Sequence, residues 1–149
     1  MGYFQDLLSN RLFISAVAGW AAAQIIKTIV NLCITRSFSP ERLIGSGGMP
    51  SSHSAFVCAL TASAGIHCGL YSPEFAITFV LAFIVMYDAM GVRRETGKQA
   101  ELLNDIMDVF KNYEGFPTAE DKLKELVGHT PLQVMAGAVL GIIIAFILR

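Results

Sequence analysis

The sequence predicts an all-α integral membrane protein, a single domain over residues 1–149 built as a bundle of about four membrane-embedded helices. Composition is the first reason, because 54% of the 149 residues are hydrophobic and only 15% are charged, too apolar for an ordinary soluble domain. The second reason is hydropathy along the chain. A helix needs roughly 20 predominantly apolar residues to cross a bilayer, and four stretches come near that length: 13–34, 54–70, 74–92 and 130–148.

The first two stretches differ in character. Stretch 13–34 is interrupted by Gln24 and Lys27 and follows a segment without a basic cluster, so we expect a retained helix and not a signal peptide. Stretch 54–70 is short and rich in Ala, Gly and Ser, which favours close helix packing. That packing could occur within one chain or across a homo-oligomer.

The loop before the last stretch, residues 93–129, is predicted to hold helices of its own. An amphipathic helix over about 98–113 is indicated by apolar residues at helical spacing, Leu103, Ile106, Met107, Phe110 and Tyr113. A short helix over about 119–127 is indicated by the capping pair Thr118 and Asp121 and by Gly128 as terminator. The loop could cover a site or serve as a solvated connector with one packed face.

Charge predicts the orientation of the bundle. With four crossings, the long loops 35–50 and 93–129 lie on one face, which carries eight Lys and Arg residues against two on the other. We therefore expect that face to be cytoplasmic and the protein to reside in the cell membrane. The net charge of −1 provides no general basic field, so no nucleic-acid partner is expected. The three cysteines lack metal-ligand spacing and fit buried thiols.

Lys27 is the first residue with possible chemistry, since an ionisable group inside a membrane helix is costly and suggests function. Trp20, Gln24, Lys27 and Asn31 follow one another at intervals of four, three and four, which predicts one polar stripe. Alternatively, Lys27 extends to the interface by snorkelling.

The segment GMPSSHSA, residues 48–55, is the second place with possible chemistry. Gly45, Gly47 and Gly48 allow close backbone approach, Ser51 or Ser52 can cap the following helix, and free N–H groups at a helix start bind anions. His53, in the first turn, would face the same ligand. The alternative is an ordinary capped helix start.

Two further places complete the set. Arg93 and Arg94 directly follow the third apolar stretch, where guanidinium groups could bind phosphate oxygens or serve as interfacial anchors. His129 stands at the head of the last stretch and could be a site residue or a polar helix cap.

Together the segments PSSH, the arginine pair and GHTPLQVMAGAVLG resemble, in this order, the type 2 phosphatidic acid phosphatase superfamily, which also includes vanadium-dependent haloperoxidases. The resemblance runs over about residues 27–141. GGMPSSHSA, DAMGVRRETGKQAELLN and GHTPLQV are most similar to its divergent branch of small bacterial and plant membrane proteins.

The resemblance implies a helical enzyme that removes phosphate from lipid monoesters or diphosphates without a metal cofactor. His129 matches the histidine that attacks phosphorus, and His53 matches the histidine that protonates the leaving oxygen. Ser51, Ser52 and the adjoining backbone would bind the phosphate, and Ser52 stands where the superfamily usually has glycine. Lys27 and one of Arg93 or Arg94 would neutralise the phosphate charge.

The pattern departs from the superfamily most clearly at Gln133, where an aspartate usually orients the nucleophilic histidine. Asp88 could take that orienting role, or could bind Mg²⁺ together with Asp105 or Asp108 in a metal-assisted variant. The candidate substrates are phosphatidylglycerol phosphate, phosphatidic acid and a polyprenyl diphosphate. The alternative function is a catalytically weak protein that binds phospholipid or assists membrane assembly.

Overall fold

The computed structural model describes residues 2–35, 48–110 and 129–149, and within these ranges the chain is helical with no strand. This confirms the predicted all-α class. The helices are α1 (Tyr3–Ser9), α2 (Arg11–Thr35), α3 (Ser52–His67), α4 (Pro73–Met90), α5 (Val92–Phe110) and α6 (Pro131–Ile147). The predicted short helix at 119–127, the last residues of the predicted helix at 98–113, and Gly45 and Gly47 lie outside the described residues.

Two helical segments are long and apolar enough to cross a membrane, Arg11–Cys33 and the run Pro73–Val109, and α6 is apolar but shorter. The predicted number of about four crossings is therefore not confirmed. The difference lies in α6, which has only 17 residues, and in α3, whose 16 residues include many Ser and Ala. Since α3 is covered by α2, α4 and α6, it does not need the hydropathy of a lipid-exposed helix.

The amphipathic helix begins earlier than predicted, at Val92 and not near residue 98. Gly91 does not stop the helical hydrogen bonding, because its N–H donates to the Tyr87 carbonyl and its own carbonyl accepts from the Glu95 N–H. The loop insertion therefore starts as a near-continuation of α4.

Glycines bring α3 into close contact with its neighbours inside one chain. A Cβ added at Gly19 of α2 would lie 2.8 Å from the Ala55 carbonyl oxygen and 2.8 Å from the Ala59 Cβ. On α6, a Cβ added at Gly137 or at Gly141 would overlap the α3 backbone. Small residues at such contacts let helix backbones approach closely, so the small-residue pattern of α3 is used within the chain.

On its other side α3 packs against α4. Val57 and Cys58 of α3 form an apolar cluster with Ala82 of α4. The Thr61 hydroxyl lies 3.0 Å from the Thr78 carbonyl oxygen of α4. This arrangement brings the start of α3, the end of α4 and the start of α6 to one end of the bundle.

Candidate functional site

The start of α3 is fixed from two directions. Ser51 is the N-cap, and its hydroxyl accepts from the Ser54 N–H at 3.4 Å. Its own N–H donates to the Gln133 carbonyl of α6 at 3.0 Å. Ser51 and Ser52, both predicted to bind phosphate, are buried here.

Lys27 reaches this helix start from α2. Its side chain is only 3% exposed, and Nζ lies 3.5 Å from the Ser52 hydroxyl oxygen. The ammonium group is therefore inside the bundle, which is not the snorkelling arrangement. Gly48 has a φ of +80°, and a Cβ added there would lie 3.3 Å from Lys27 Cγ. The close approach that Gly48 permits is thus to the lysine stem.

The other residues of the predicted polar stripe differ in burial. Gln24, one turn before Lys27, is also buried, and its Oε1 has no hydrogen-bond partner among the described residues. Trp20 is 41% exposed. The stripe therefore faces the bundle at the end of α2 that lies beside the start of α3, and it becomes exposed toward the middle of α2.

His129 is held at the head of α6 by α4. Its backbone N–H donates to the Ala89 carbonyl at 3.0 Å, and the residue is 4% exposed. The next residue, Thr130, caps α6, with its hydroxyl accepting from the Gln133 N–H at 3.4 Å. In return, the Gln133 side-chain oxygen accepts from the Thr130 N–H at 3.0 Å, which completes a capping box.

The same side-chain oxygen fixes the tautomer of His129. His129 Nδ1 lies 3.2 Å from Gln133 Oε1. Because the Thr130 N–H can only donate, the atom that it faces must be the amide oxygen, which settles the amide orientation. An amide oxygen can only accept, so Nδ1 must carry the proton. In the neutral ring, Nε2 is then the unprotonated nitrogen.

The two histidines stand next to each other. The ring centroids of His53 and His129 are 6.3 Å apart, with planes tilted by 54°. A reacting atom lies about 3–3.5 Å from its nucleophile, and a general acid about 2.6–3.2 Å from the oxygen that it protonates. Both of these distances start from ring nitrogens, and the 6.3 Å between ring centroids shows that the two imidazoles are neighbours at this end of the bundle.

The other predicted site residues lie on α4 and α5. Arg93 and Arg94 occupy the first turn of α5, and their side chains are outside the described part of the structure. Asp88 is half-buried on α4, next to the Ala89 carbonyl that holds His129. Asp105 and Asp108 are exposed on α5. Among the described residues, no group of three or more His, Cys, Asp or Glu side chains is arranged to hold a metal ion.

Sequence reasoning missed two residues, Thr130 at the start of α6 and the buried Asn104 of α5. Thr130 forms the capping box with Gln133. The signal was in the sequence, because a Thr followed by Pro and by a Gln three residues after the Thr is a recognisable helix-start pattern. Asn104 is 1% exposed, the largest fully buried side chain among those described. The spacing of Asn104 from Gly97 and Ala100 could have indicated its burial, because intervals of three and four place the three residues on one face of α5. Gly97 and Ala100 are also buried.

Comparison with known proteins agrees with this architecture. Residues 8–144 match the family described as the Divergent PAP2 family. The chain is 38% identical over 152 residues to a protein named uncharacterized membrane protein YuiD from Bacillus subtilis (strain 168), with 96% of each chain covered. No solved structure matches the chain. A match across nearly the whole chain shows that this membrane protein belongs to the Divergent PAP2 family.

Proposed function

We propose that the protein is a membrane phosphatase that removes phosphate from a lipid phosphomonoester or diphosphate through a phosphohistidine on His129. The observation that carries this proposal is the hydrogen bond from His129 Nδ1 to the Gln133 amide oxygen. It leaves Nε2 as the nucleophilic nitrogen, next to a second imidazole, that of His53. Membership of the Divergent PAP2 family supports the same chemistry.

The reaction needs two steps. The Nε2 lone pair of His129 attacks phosphorus, the bond from phosphorus to the lipid oxygen breaks, and protonated His53 gives its proton to that leaving oxygen. Water then attacks the phosphorus of the phosphohistidine. His53, now neutral, takes a proton from this water as the bond to Nε2 breaks, which releases inorganic phosphate and restores both rings.

Charge compensation comes from cations beside the helix start. The Lys27 ammonium is held at the first turn of α3 by Ser52, and one of Arg93 or Arg94 would supply the second positive charge. The dipole of α3 adds partial positive charge at the same end. Such pre-positioned groups stabilise the transferring phosphoryl group. The site then faces the cytoplasmic membrane surface, where lipid phosphates lie.

Gln133 favours a second candidate, a protein that binds phosphorylated lipid and turns it over slowly. An amide oxygen orients the ring but brings no negative charge to the imidazolium that forms during attack. Replacing the corresponding carboxylate in the serine-protease triad by an amide lowers kcat by about 10⁴. The candidate ligands are the same for both functions: phosphatidylglycerol phosphate, phosphatidic acid and polyprenyl diphosphate.

Phosphate release by purified protein in nanodiscs tests the proposal, with these three lipids and with EDTA or added Mg²⁺ as separate arms. We expect His129→Ala and His53→Ala each to abolish release. His67→Ala is the matched control, because His67 is the third histidine and is exposed at the opposite end of α3. Lipid binding without release would favour the second candidate. Release that persists in both site variants would eliminate the histidine mechanism.

A further inference from the structure

One face of α3 is left partly open along its first half. From Ser52 to Thr61 the partly exposed residues are His53, Phe56 and Leu60, and the others are buried. Intervals of three and four place these three on one side of the helix. We call this face the α3 furrow.

The arrangement of the neighbouring helices explains the opening. On one side of the furrow, Ser52 and Ala59 meet α2 through Lys27 and Gly19. On the other side, Thr61 meets α4 through the Thr78 carbonyl. α6 also packs on α3, but α2 and α4 make no contact with each other in the described ranges. The furrow is the gap between α2 and α4, floored by α3.

The two ends of the furrow differ. The end of the furrow at the start of α3 is His53, whose ring lies beside that of His129. The preceding residue, Ser52, contacts Lys27. Below His53 the floor is apolar, and from His53 to Leu60 it extends about 10 Å at 1.5 Å per residue. Farther along, the Ser63 hydroxyl lies 3.4 Å from the Arg11 carbonyl and joins α3 to α2.

The α2 residue at the level of the furrow floor is apolar. Gly19 lies against Ala55 and Ala59, so the next residue, Trp20, is level with Phe56 and Leu60. Trp20 is exposed although it lies far from the ends of the membrane-crossing segment Arg11–Cys33. Tryptophan is usually enriched at the membrane interfaces and not at mid-depth.

We propose that the α3 furrow holds the first part of one hydrocarbon chain of the phosphorylated lipid, which approaches sideways from the bilayer between α2 and α4. The inference rests on the proposed function, because the chain is placed by a phosphate bound between His53 and His129. A hydrocarbon chain is the occupant that fits, because it is joined to the phosphate and the apolar floor begins one helical turn from His53. The gap also faces lipid. Its width is that of one helix face, which suits a single chain.

Filling the furrow tests the proposal. We compare Leu60→Trp with Val139→Trp, a matched control on the exposed face of α6. For each variant, kcat/KM is measured on a long-chain lipid phosphate and on a short-chain soluble analogue with the same headgroup. We expect Leu60→Trp to lower the long-chain to short-chain ratio at least about tenfold, because contacts with a few methylene groups are lost. The control should keep the ratio of the wild type.

Equal loss on both substrates, or no loss, would overturn the furrow as the chain site. If Leu60→Trp does not fold in detergent, Leu60→Phe adds less volume and gives the same comparison. Running the assay with a polyprenyl phosphate and with phosphatidic acid identifies which kind of chain is accepted.

A second readout does not need turnover. A lipid phosphate with a photoreactive group near the headgroup end of its chain is cross-linked to the protein in nanodiscs, using His129→Ala to prevent hydrolysis. We expect labelling of the peptide that contains Phe56 and Leu60, and loss of that label in His129→Ala combined with Leu60→Trp. Labelling without phosphate release by the wild type would keep the furrow and remove the phosphatase. Phosphate release without labelling of α3 would keep the phosphatase and eliminate the furrow as the chain site.

Discussion

Gln133 and His129 share a hydrogen bond that decides which ring nitrogen of the histidine carries the proton. The 3.2 Å contact between Nδ1 and Oε1 belongs to the same amide oxygen that receives the Thr130 N–H. One side chain therefore caps α6 and orients His129. Any change at Gln133 acts on the helix start and on the imidazole together.

Gln133→Glu should keep both hydrogen bonds, since a glutamate at this position also completes a capping box. The added negative charge should raise kcat for phosphate release, because it stabilises the imidazolium that forms during attack. Gln133→Met keeps the length but accepts no hydrogen bond. It should lower kcat at least about tenfold and the free energy of unfolding by about 1 kcal/mol. A glutamate variant slower than the methionine variant would contradict this role.

Lys27→Met should separate binding from stability. Removing a buried ammonium group relieves a desolvation cost, so we expect the melting temperature in detergent to stay the same or rise. Phosphate release should fall by about 10²-fold, the usual effect of removing one transition-state donor. Lys98→Met is the control, because Lys98 is exposed and pairs only with Glu95 on the surface of α5 among the described contacts. Similar losses in both variants would remove Lys27 from the site.

Arg93 and Arg94 should differ in importance. In the register of α5, Arg93 precedes Gly97 by four residues and shares the helix side of the buried Ala100 and Asn104. Arg94 shares the side of the exposed Glu101, Asp105 and Asp108. We expect Arg93→Ala to lower kcat/KM by at least about tenfold more than Arg94→Ala, measured on the same lipid. The reverse order would assign the phosphate contact to Arg94.

Gly137→Ala should damage the site without replacing any of the site residues. The new Cβ would overlap the Ser51 carbonyl oxygen, so α6 must move away from α3 and carry His129 with it. We expect the free energy of unfolding to fall by about 1–3 kcal/mol and phosphate release to fall as well. Gly2→Ala adds the same methyl group where nothing lies within 4 Å. Unchanged melting in both variants would show that the helix contact tolerates the added methyl group.

The sequence predicted the helices better than their ends and contacts. Hydropathy located α2, α4 and α6, because lipid exposure requires long apolar runs. It could not show that α5 begins at Val92, since Gly91 after a span is a common helix end, yet Gly91 continues the hydrogen bonding here. The glycines of α6 indicated close packing but no partner, because contacts within a chain and between chains use the same small residues.

At the site, sequence reasoning named residues but not their partners. Gln133 looked like the loss of a carboxylate, because the comparison was with an aspartate and not with the capping pattern around Thr130. The inward position of Lys27 depends on the register of α2 against α3, which Gly19 and Ser52 set together. Long-range register of this kind is fixed by packing between distant segments, so no local pattern shows it.

The hydrogen bond from the Ser51 N–H to the Gln133 carbonyl has a consequence for how the protein is made. α3 is synthesised well before α6, so a chain in which only the first helices have left the ribosome has no partner for this N–H. The Ser- and Ala-rich face that later receives Gly137 and Gly141 is then uncovered in the lipid, where its polar atoms are poorly tolerated. Stable membrane insertion of α3 should therefore await translation of α6, and the nascent chain should depend on the translocon or a chaperone until then.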